Sequence, residues 1–429
     1  MNQQSSLRAP SALPRRDFLK TAALAGLASA ALPLAGRSVF AAGSDVLRIG
    51  LVGCGRRGTG AANDCLNSSP NVELVAMGDL FRDKLDGAFG SLKGRADKFK
   101  VTPERCFVGF DACQKVLASG VDLVILAMPP GFRPEYLRLA VEAGKHVFME
   151  KPVAVDPLGV RSILASAELA KAKKLALVAG TQRRHQPSYL ETIKRIHDGQ
   201  IGRLISAEAY WLGDYGYYPA VKRQNGWSDM EWQIRNWNYF AWLSGDHIVE
   251  QHVHNLDVIR WALQGDPVRC IATGSRSVRT APEFGHIYDN FSVSYEFPNG
   301  VHVLSMCRQM SGTSNRVTER IHGSKGTASD GSIVGDTPFK YEGATPNPYV
   351  QEHADLIASI RAGAPLNEGA EIARSTLMAI MGRMSAYTGR EIGWDWVLNA
   401  SKLDLRPPKY EFGELPVPPV AVPGQTALV

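Results

Sequence analysis

Long apolar runs are missing from this chain. No stretch of its 429 residues reaches the 18 or more that a helix needs to cross a bilayer, so no transmembrane segment is expected in the mature chain. Charge of one sign is scarce as well. The formal net charge is +6, and residues 1–41 hold +4 of it, through Arg8, Arg15, Arg16, Lys20 and Arg37 against Asp17. The remaining +2 is too little to attract a polyanion, so no nucleic-acid partner is expected. Cysteine is sparse. Cys54, Cys65, Cys106, Cys113, Cys270 and Cys307 show neither paired metal spacing nor a compact disulfide framework. They are expected as free, mostly buried thiols, and no metal site is expected. Internal repeats are absent, and 407–423 is the sole biased run, rich in proline. What remains is ordinary globular composition, with 45% hydrophobic and 21% charged residues in a length that suits two or three domains.

The first forty residues read as an address. Pro14-Arg15-Arg16-Asp17-Phe18-Leu19-Lys20 is followed by an Ala- and Gly-rich apolar stretch over 21–34, then Val39-Phe40-Ala41. A positive segment, a short apolar core and a small residue at the cut make a secretory signal. The paired arginines ahead of Phe-Leu-Lys resemble a twin-arginine signal, with Pro14 where Ser or Thr is usual. A signal peptide and linker over 1–43, passage through the twin-arginine export machinery and a periplasmic location are therefore expected.

Residues 46–52 form a short, nearly continuous apolar run, as buried parallel strands do. It runs into Gly53-Cys54-Gly55-Arg56-Arg57-Gly58 and then a helical stretch. Gly-x-Gly-x-x-Gly between a strand and a helix suits a dinucleotide. The first glycine makes the turn, the second admits the pyrophosphate, and the third lets helix and strand pack closely. The helix N-terminus adds unpaired N–H groups and the positive end of its dipole. The next strand ends at Asp79, 21 residues after Gly58, where a carboxylate suits a ribose and repels a 2′-phosphate, so NAD is expected ahead of NADP. Asp79 also reads as the N-cap of a following helix. A third strand over 121–127 ends in Met128-Pro129-Pro130, and a fourth, 146–149, delivers Glu150-Lys151-Pro152. Both ends lie at the carboxyl edge, where such sheets bind ligands. Gly53, Gly55, Arg56, Arg57, Gly58, Asp79, Met128, Pro129, Glu150 and Lys151 are thus the expected cofactor-binding set.

Together these residues resemble the glucose–fructose oxidoreductase / inositol dehydrogenase / rhizopine-catabolism (Gfo/Idh/MocA) family. Further matching pieces are Ala143-Gly144-Lys145-His146, Gly199-Gln200-Ile201-Gly202, Glu250 to Asp257, and the tail from Glu352-His353-Ala354-Asp355 to Thr388-Gly389. The resemblance spans 47–396. It implies an NAD(P)-dependent oxidoreductase with Lys151 in the active site, assisted by an acid-x3-His pair that falls on Glu250 and His254. The family usually has Asp where Glu250 stands, and often a His where Arg133 stands. A homo-oligomer is implied too.

The fold expected is α/β. An N-terminal Rossmann doubly wound parallel sheet over 44–165 is followed by an α+β domain with a large, mostly antiparallel open sheet over 166–405, then a Pro-rich C-terminal arm over 406–429 that reaches over a neighbouring domain or subunit. Pro298-Asn299-Gly300 marks a hairpin. In 245–257, read as one helix, His247, Glu250, His254 and Asp257 recur at spacings of three, four and three and share a face, while Gln251 and His252 point elsewhere. Such a polar stripe can be a hydrogen-bonded network, a metal set or acid/base groups. The upstream glycine turn and Lys151 favour the last. Lys151, His254 and Glu250 are the expected catalytic residues, with Glu250 setting the imidazole tautomer or binding a hydroxyl. Arg133, Arg183, Arg184, His185, His247 and Trp237 are the expected substrate contacts. Tyr215, Tyr217 and Tyr218 read as a loop over the cleft. The function expected is hydride transfer between the cofactor and a secondary hydroxyl of a sugar, cyclitol or glycoside. One alternative is glycoside hydrolysis by transient oxidation with a tightly held, self-recycled NAD. The other is sugar binding without catalysis.

Overall fold

A computed structural model describes residues 46–429, apart from Ala96 and 215–217. The leader expected over 1–43, Tyr215 and Tyr217 therefore lie outside the described residues. Within them, no helix is long and apolar enough to cross a membrane. All six cysteines are free thiols, and all but Cys106 are buried.

The first domain is a six-stranded parallel sheet in the order β3-β2-β1-β4-β5-β6. Its strands are β1 Leu47–Val52, β2 Val72–Asp79, β3 Cys106–Val108, β4 Leu123–Leu126, β5 His146–Met149 and β6 Leu177–Ala179. Helices cover both faces, which is why β4 and β6 are buried at every residue. The strand order reverses between β1 and β4, and a crevice opens there at the carboxyl ends of the strands. The parallel sheet continues to β6, past the boundary expected at 165. The helix Pro157–Ala172 is the crossover that returns the chain to β6, so it belongs to this sheet.

The second domain is a nine-stranded sheet in the order β14-β13-β12-β11-β7-β10-β9-β8-β15. Its longer strands are β7 Leu204–Gly213, β8 Arg269–Ser275, β9 Asn290–Phe297, β10 Val301–Gln309 and β11 Arg316–Gly323, and the hairpin expected at Pro298-Asn299-Gly300 joins β9 to β10. Every pairing is antiparallel except β7 with β10. Four short strands complete it: β12 Gly326–Ser329, β13 Ser332–Gly335, β14 Phe339–Lys340 and β15 Ile392–Gly393. At two to four residues they are too short to alternate visibly. Along β9 and β10 one face is buried in alternate residues and carries the helices, while the other is open. The helix Gly369–Thr388 is buried on nearly every side. It packs on both β8 and the helix Pro157–Ala172, so it ties the two sheets together.

Candidate active site

The crevice is a groove of about 890 Å³ that runs from the glycine turn to the helices of the second domain. At one end lies Gly53, with φ +92°, a backbone state that favours glycine. A Cβ on Gly58 would sit 1.8 Å from the Gly53 carbonyl oxygen, whereas one on Gly55 would meet nothing within 4 Å. The turn is thus closed on its inner side and open towards the groove. The helix Arg56–Ser68 starts from Gly55 with no side-chain cap, which leaves the first-turn N–H groups for a ligand. Asp79 accepts from the Cys54 N–H at 2.6 Å and from the Phe81 N–H at 2.8 Å, so its carboxylate is fixed at the mouth of β2 and lines the groove. It sits two residues ahead of Phe81, which is the N-cap. A cradle open at Gly55 beside a fixed acid fits a dinucleotide.

Arg56 and Arg57 both line this end. Arg57 reaches away from the turn to Glu150 at 2.5 Å, Asp64 at 3.4 Å and Glu352 at 3.5 Å, and its guanidinium lies over Tyr349. Three carboxylates engage its charge, so it holds Glu150 rather than standing free for a phosphate. Glu352 and Tyr349 both come from the helix Pro348–Arg361: Glu352 was visible in the sequence only as the start of the family-like tail, and Tyr349 had no signal there.

At the other end Lys151 Nζ donates to Glu250 Oε1 at 2.9 Å and to the Glu250 carbonyl at 2.5 Å. The side chains are 13% and 4% exposed, a nearly dry ion pair. The second bond breaks the helix expected through 245–257. It occupies the carbonyl that an unbroken helix would offer to the His254 N–H, which turns instead to the Gln251 carbonyl at 3.4 Å. The result is two helices, His247–Glu250 and Val253–Leu263, with Gln251 and His252 between them.

The expected polar stripe therefore splits. Glu250 and His254 line the groove. His247 does not: it is buried, its Nδ1 lies 3.0 Å from Asp246 and its ring rests on Phe291. That removes it from the substrate contacts and keeps it from converging with Glu250 and His254 on a metal. Asp257 receives both arms of Arg184 at 2.8 Å. Glu250 serves Lys151 rather than the imidazole. His254 is stacked on Trp211 at 5.9 Å. Burial, with Lys151, Arg183 and Arg57 nearby, holds its pKa well below the usual value, so the ring is a neutral proton acceptor at pH 7.

Three other expected substrate contacts lie outside the groove. Arg183 is paired with Glu319 at 3.0 Å and Arg184 with Asp257. His185 sits between Asp355 at 2.7 Å and Glu368 at 3.1 Å. Burial opposes its charge, but these carboxylates carry its pKa up to about 10. None of the three lines the groove: Arg183 and Arg184 are each consumed by a buried acid, and His185 is held by two partly exposed ones. Arg133 does line it, but its guanidinium donates to the Met128 and Pro152 carbonyls and so staples the Pro129 turn to the Lys151 turn. Trp237 lines the groove as expected, edge-on to Tyr218 at 5.3 Å. Met128 and Pro129 also line it. Gln251, expected to point elsewhere, lines it too, whereas His252 turns to Ser305 at 2.8 Å.

A doubly wound sheet with a glycine cradle at its switch point, facing a buried lysine and a neutral histidine, defines a nicotinamide-dependent oxidoreductase. The comparisons agree with that class. Residues 47–180 match the model of the oxidoreductase family with an NAD-binding Rossmann fold, Gfo/Idh/MocA. Residues 189–329 match the Gfo/Idh/MocA C-terminal domain. Inositol 2-dehydrogenase of Rhizobium meliloti is 26% identical over 349 residues, 77% of this chain and 91% of that protein. The scyllo-inositol 2-dehydrogenase (NAD(+)) of Bacillus subtilis is 26% identical over 51% of this chain and 54% of its own length. Among solved structures, myo-inositol 2-dehydrogenase from Lactobacillus plantarum superposes with a TM-score of 0.62 at 20% identity, over 81% of this chain and 99% of that one. The WlbA dehydrogenase from Bordetella pertussis, in complex with NADH and UDP-GlcNAcA, gives 0.63 at 21% identity, over 81% and 98%. The chain belongs to the Gfo/Idh/MocA family of NAD-dependent oxidoreductases.

Proposed function

We propose that the protein oxidises a secondary hydroxyl of a sugar, cyclitol or glycoside, with NAD as its cofactor in preference to NADP. The observation that carries the reading is the Lys151–Glu250 pair standing beside His254 in the groove that begins at Gly53–Gly58. Bound nicotinamide supplies the hydride acceptor. The helix N-terminus at Gly55 takes the pyrophosphate, and the Asp79 carboxylate, which would repel a 2′-phosphate, takes the ribose. Lys151 donates to the reacting oxygen, while Glu250 keeps the ammonium aimed and offsets its burial. His254, neutral in its apolar stack, accepts the hydroxyl proton. Trp211, Trp237 and Tyr218 line the groove, and aromatic rings suit the apolar side of a cyclic polyol. The inositol dehydrogenase relatives support the substrate class.

The test is absorbance at 340 nm with NAD and a panel of inositols, hexoses and glycosides. Reduction with at least one polyol is expected. No reduction with any, at millimolar NAD, would end the reading.

Two further proposals concern setting. Arg15-Arg16 and the apolar stretch after them support export by the twin-arginine route to the periplasm. Changing both arginines to lysine should trap the chain inside the cell, and unchanged export would refute the route. The open face of the second sheet carries exposed Ile271 and Leu304, which supports self-association there. Light scattering should give a multiple of the chain mass, and a monomer would refute it.

A further inference from the structure

Behind the helix break, three side chains form a chain of fixed polarity that ends in the groove. Arg279 is fully buried, and its Nη1 donates to Gln309 Oε1. Its backbone and remaining arm are held by Asp289 Oδ2 at 3.0 Å and the Tyr288 carbonyl at 2.9 Å. A guanidinium has donors only, so it fixes which end of the Gln309 amide faces it. Gln309, at the end of β10 and 2% exposed, must then turn its Nε2 the other way. That nitrogen donates to Gln251 Oε1 at 2.5 Å. Gln251 is fixed in turn: its oxygen is taken, and among the described residues its Nε2 has no hydrogen-bond acceptor. Gln251 lies between the groove-lining Glu250 and His254, and it lines the groove itself.

We propose that Gln251 is a specificity-determining residue: its Nε2 donates to an oxygen of the substrate ring near the reacting carbon, and Arg279 and Gln309 act as positioning residues that lock this polarity from behind. The proposal rests on the polyol-oxidation reading and sharpens it. A rotating hydroxyl in this place could donate or accept, but a locked amide nitrogen can only donate. The site therefore selects a hydroxyl or carbonyl oxygen there and rejects an ammonium. Gln251 stands at the break between the two helices, beside Glu250 and three residues ahead of His254.

The experiment measures KM and kcat at saturating NAD, with myo-inositol and other polyols that wild type oxidises, and with single-deoxy inositols. Gln251→Glu replaces the donor by an acceptor at the same size. Gln309→Glu acts without touching the groove. One carboxylate oxygen keeps Arg279, and the other now accepts from Gln251, which must flip and show its oxygen to the substrate. Each variant should raise KM about tenfold or more with a smaller change in kcat, leave NADH affinity unchanged, and combine less than additively. One single-deoxy analogue should erase the difference between wild type and Gln251→Glu. KM within twofold of wild type in both variants, on a polyol that wild type oxidises, would overturn the proposal. If wild type oxidises no polyol, the functional reading fails and the assignment of Gln251 falls with it.

Discussion

Lys151 and His254 sit within one groove but are held in different ways. Lys151 is tied to Glu250 by two hydrogen bonds. His254 has a ring stack and, among the described residues, no carboxylate partner. Lys151→Met and His254→Ala should each lower kcat by about 100-fold, with NADH still bound in a fluorescence titration. Near-wild-type turnover in both would remove the assignment. The pH profile carries a sign. The pKa of His254 lies below its ordinary value of 6.5, so the proton-accepting form persists as pH falls through 6.5. The acid limb of kcat/KM should therefore lie below pH 6.5, and its loss in His254→Ala should accompany the loss of rate. An acid limb above 7 would mean that His254 is not the base. At this scale the sequence told residue types but not partners. Lys151, Glu250 and His254 were legible from spacing and resemblance. The pairing of Arg183, Arg184 and His185 with Glu319, Asp257 and Asp355 was not, because partners 73 to 170 residues away leave no periodic signal. Gln251 was misread because a helix break set by a lysine 99 residues upstream cannot be seen in local spacing.

At the scale of elements, the strand–turn–helix unit over 47–68 is where sequence and structure agree most closely. Short buried strands and glycine spacing are local, so their readings survive folding. The steric reasons were legible as well: Gly58 lies where a side chain would strike the Gly53 carbonyl. Gly58→Ala should open the turn and weaken NADH binding about tenfold or more, since overpacking of a tight contact costs about 1–3 kcal/mol. Gly55→Ala, pointing into open groove, should weaken binding by crowding the pyrophosphate while leaving the melting temperature close to wild type. A Gly58→Ala protein that binds NADH like wild type would contradict the cradle. The strands that gave no signal were the short ones at the edges of the second sheet, β12 to β15, where two to four residues leave no alternation to see.

For the whole molecule, the Pro-rich arm over 406–429 is the feature whose position the sequence left open between domain and subunit. It runs back over its own chain. Tyr410 packs on Phe132 at 5.1 Å, and Phe412 on Phe81 at 6.0 Å and Phe110 at 5.2 Å. Phe81, Phe110 and Phe132 all line the groove. Backbone bonds from Met230 to Gly413 and from Gly424 to Thr388 fasten the arm to the second domain. The arm thus braces the dinucleotide end of the groove from outside. A chain ending at Leu405 should melt several degrees lower and release NADH faster in stopped flow, because each aromatic anchor contributes about 1.5–3 kcal/mol of burial at most. Equal melting and release rates would show the arm to be passive.

One ligand should connect the glycine turn to the Lys151–Glu250 pair and His254. A crystal structure of the protein with NAD should place the pyrophosphate against Gly55 and the helix N-terminus, a ribose on Asp79, and the nicotinamide in contact with Lys151 and His254. A nicotinamide lying away from both side chains, or a groove that stays empty at millimolar NAD, would contradict it.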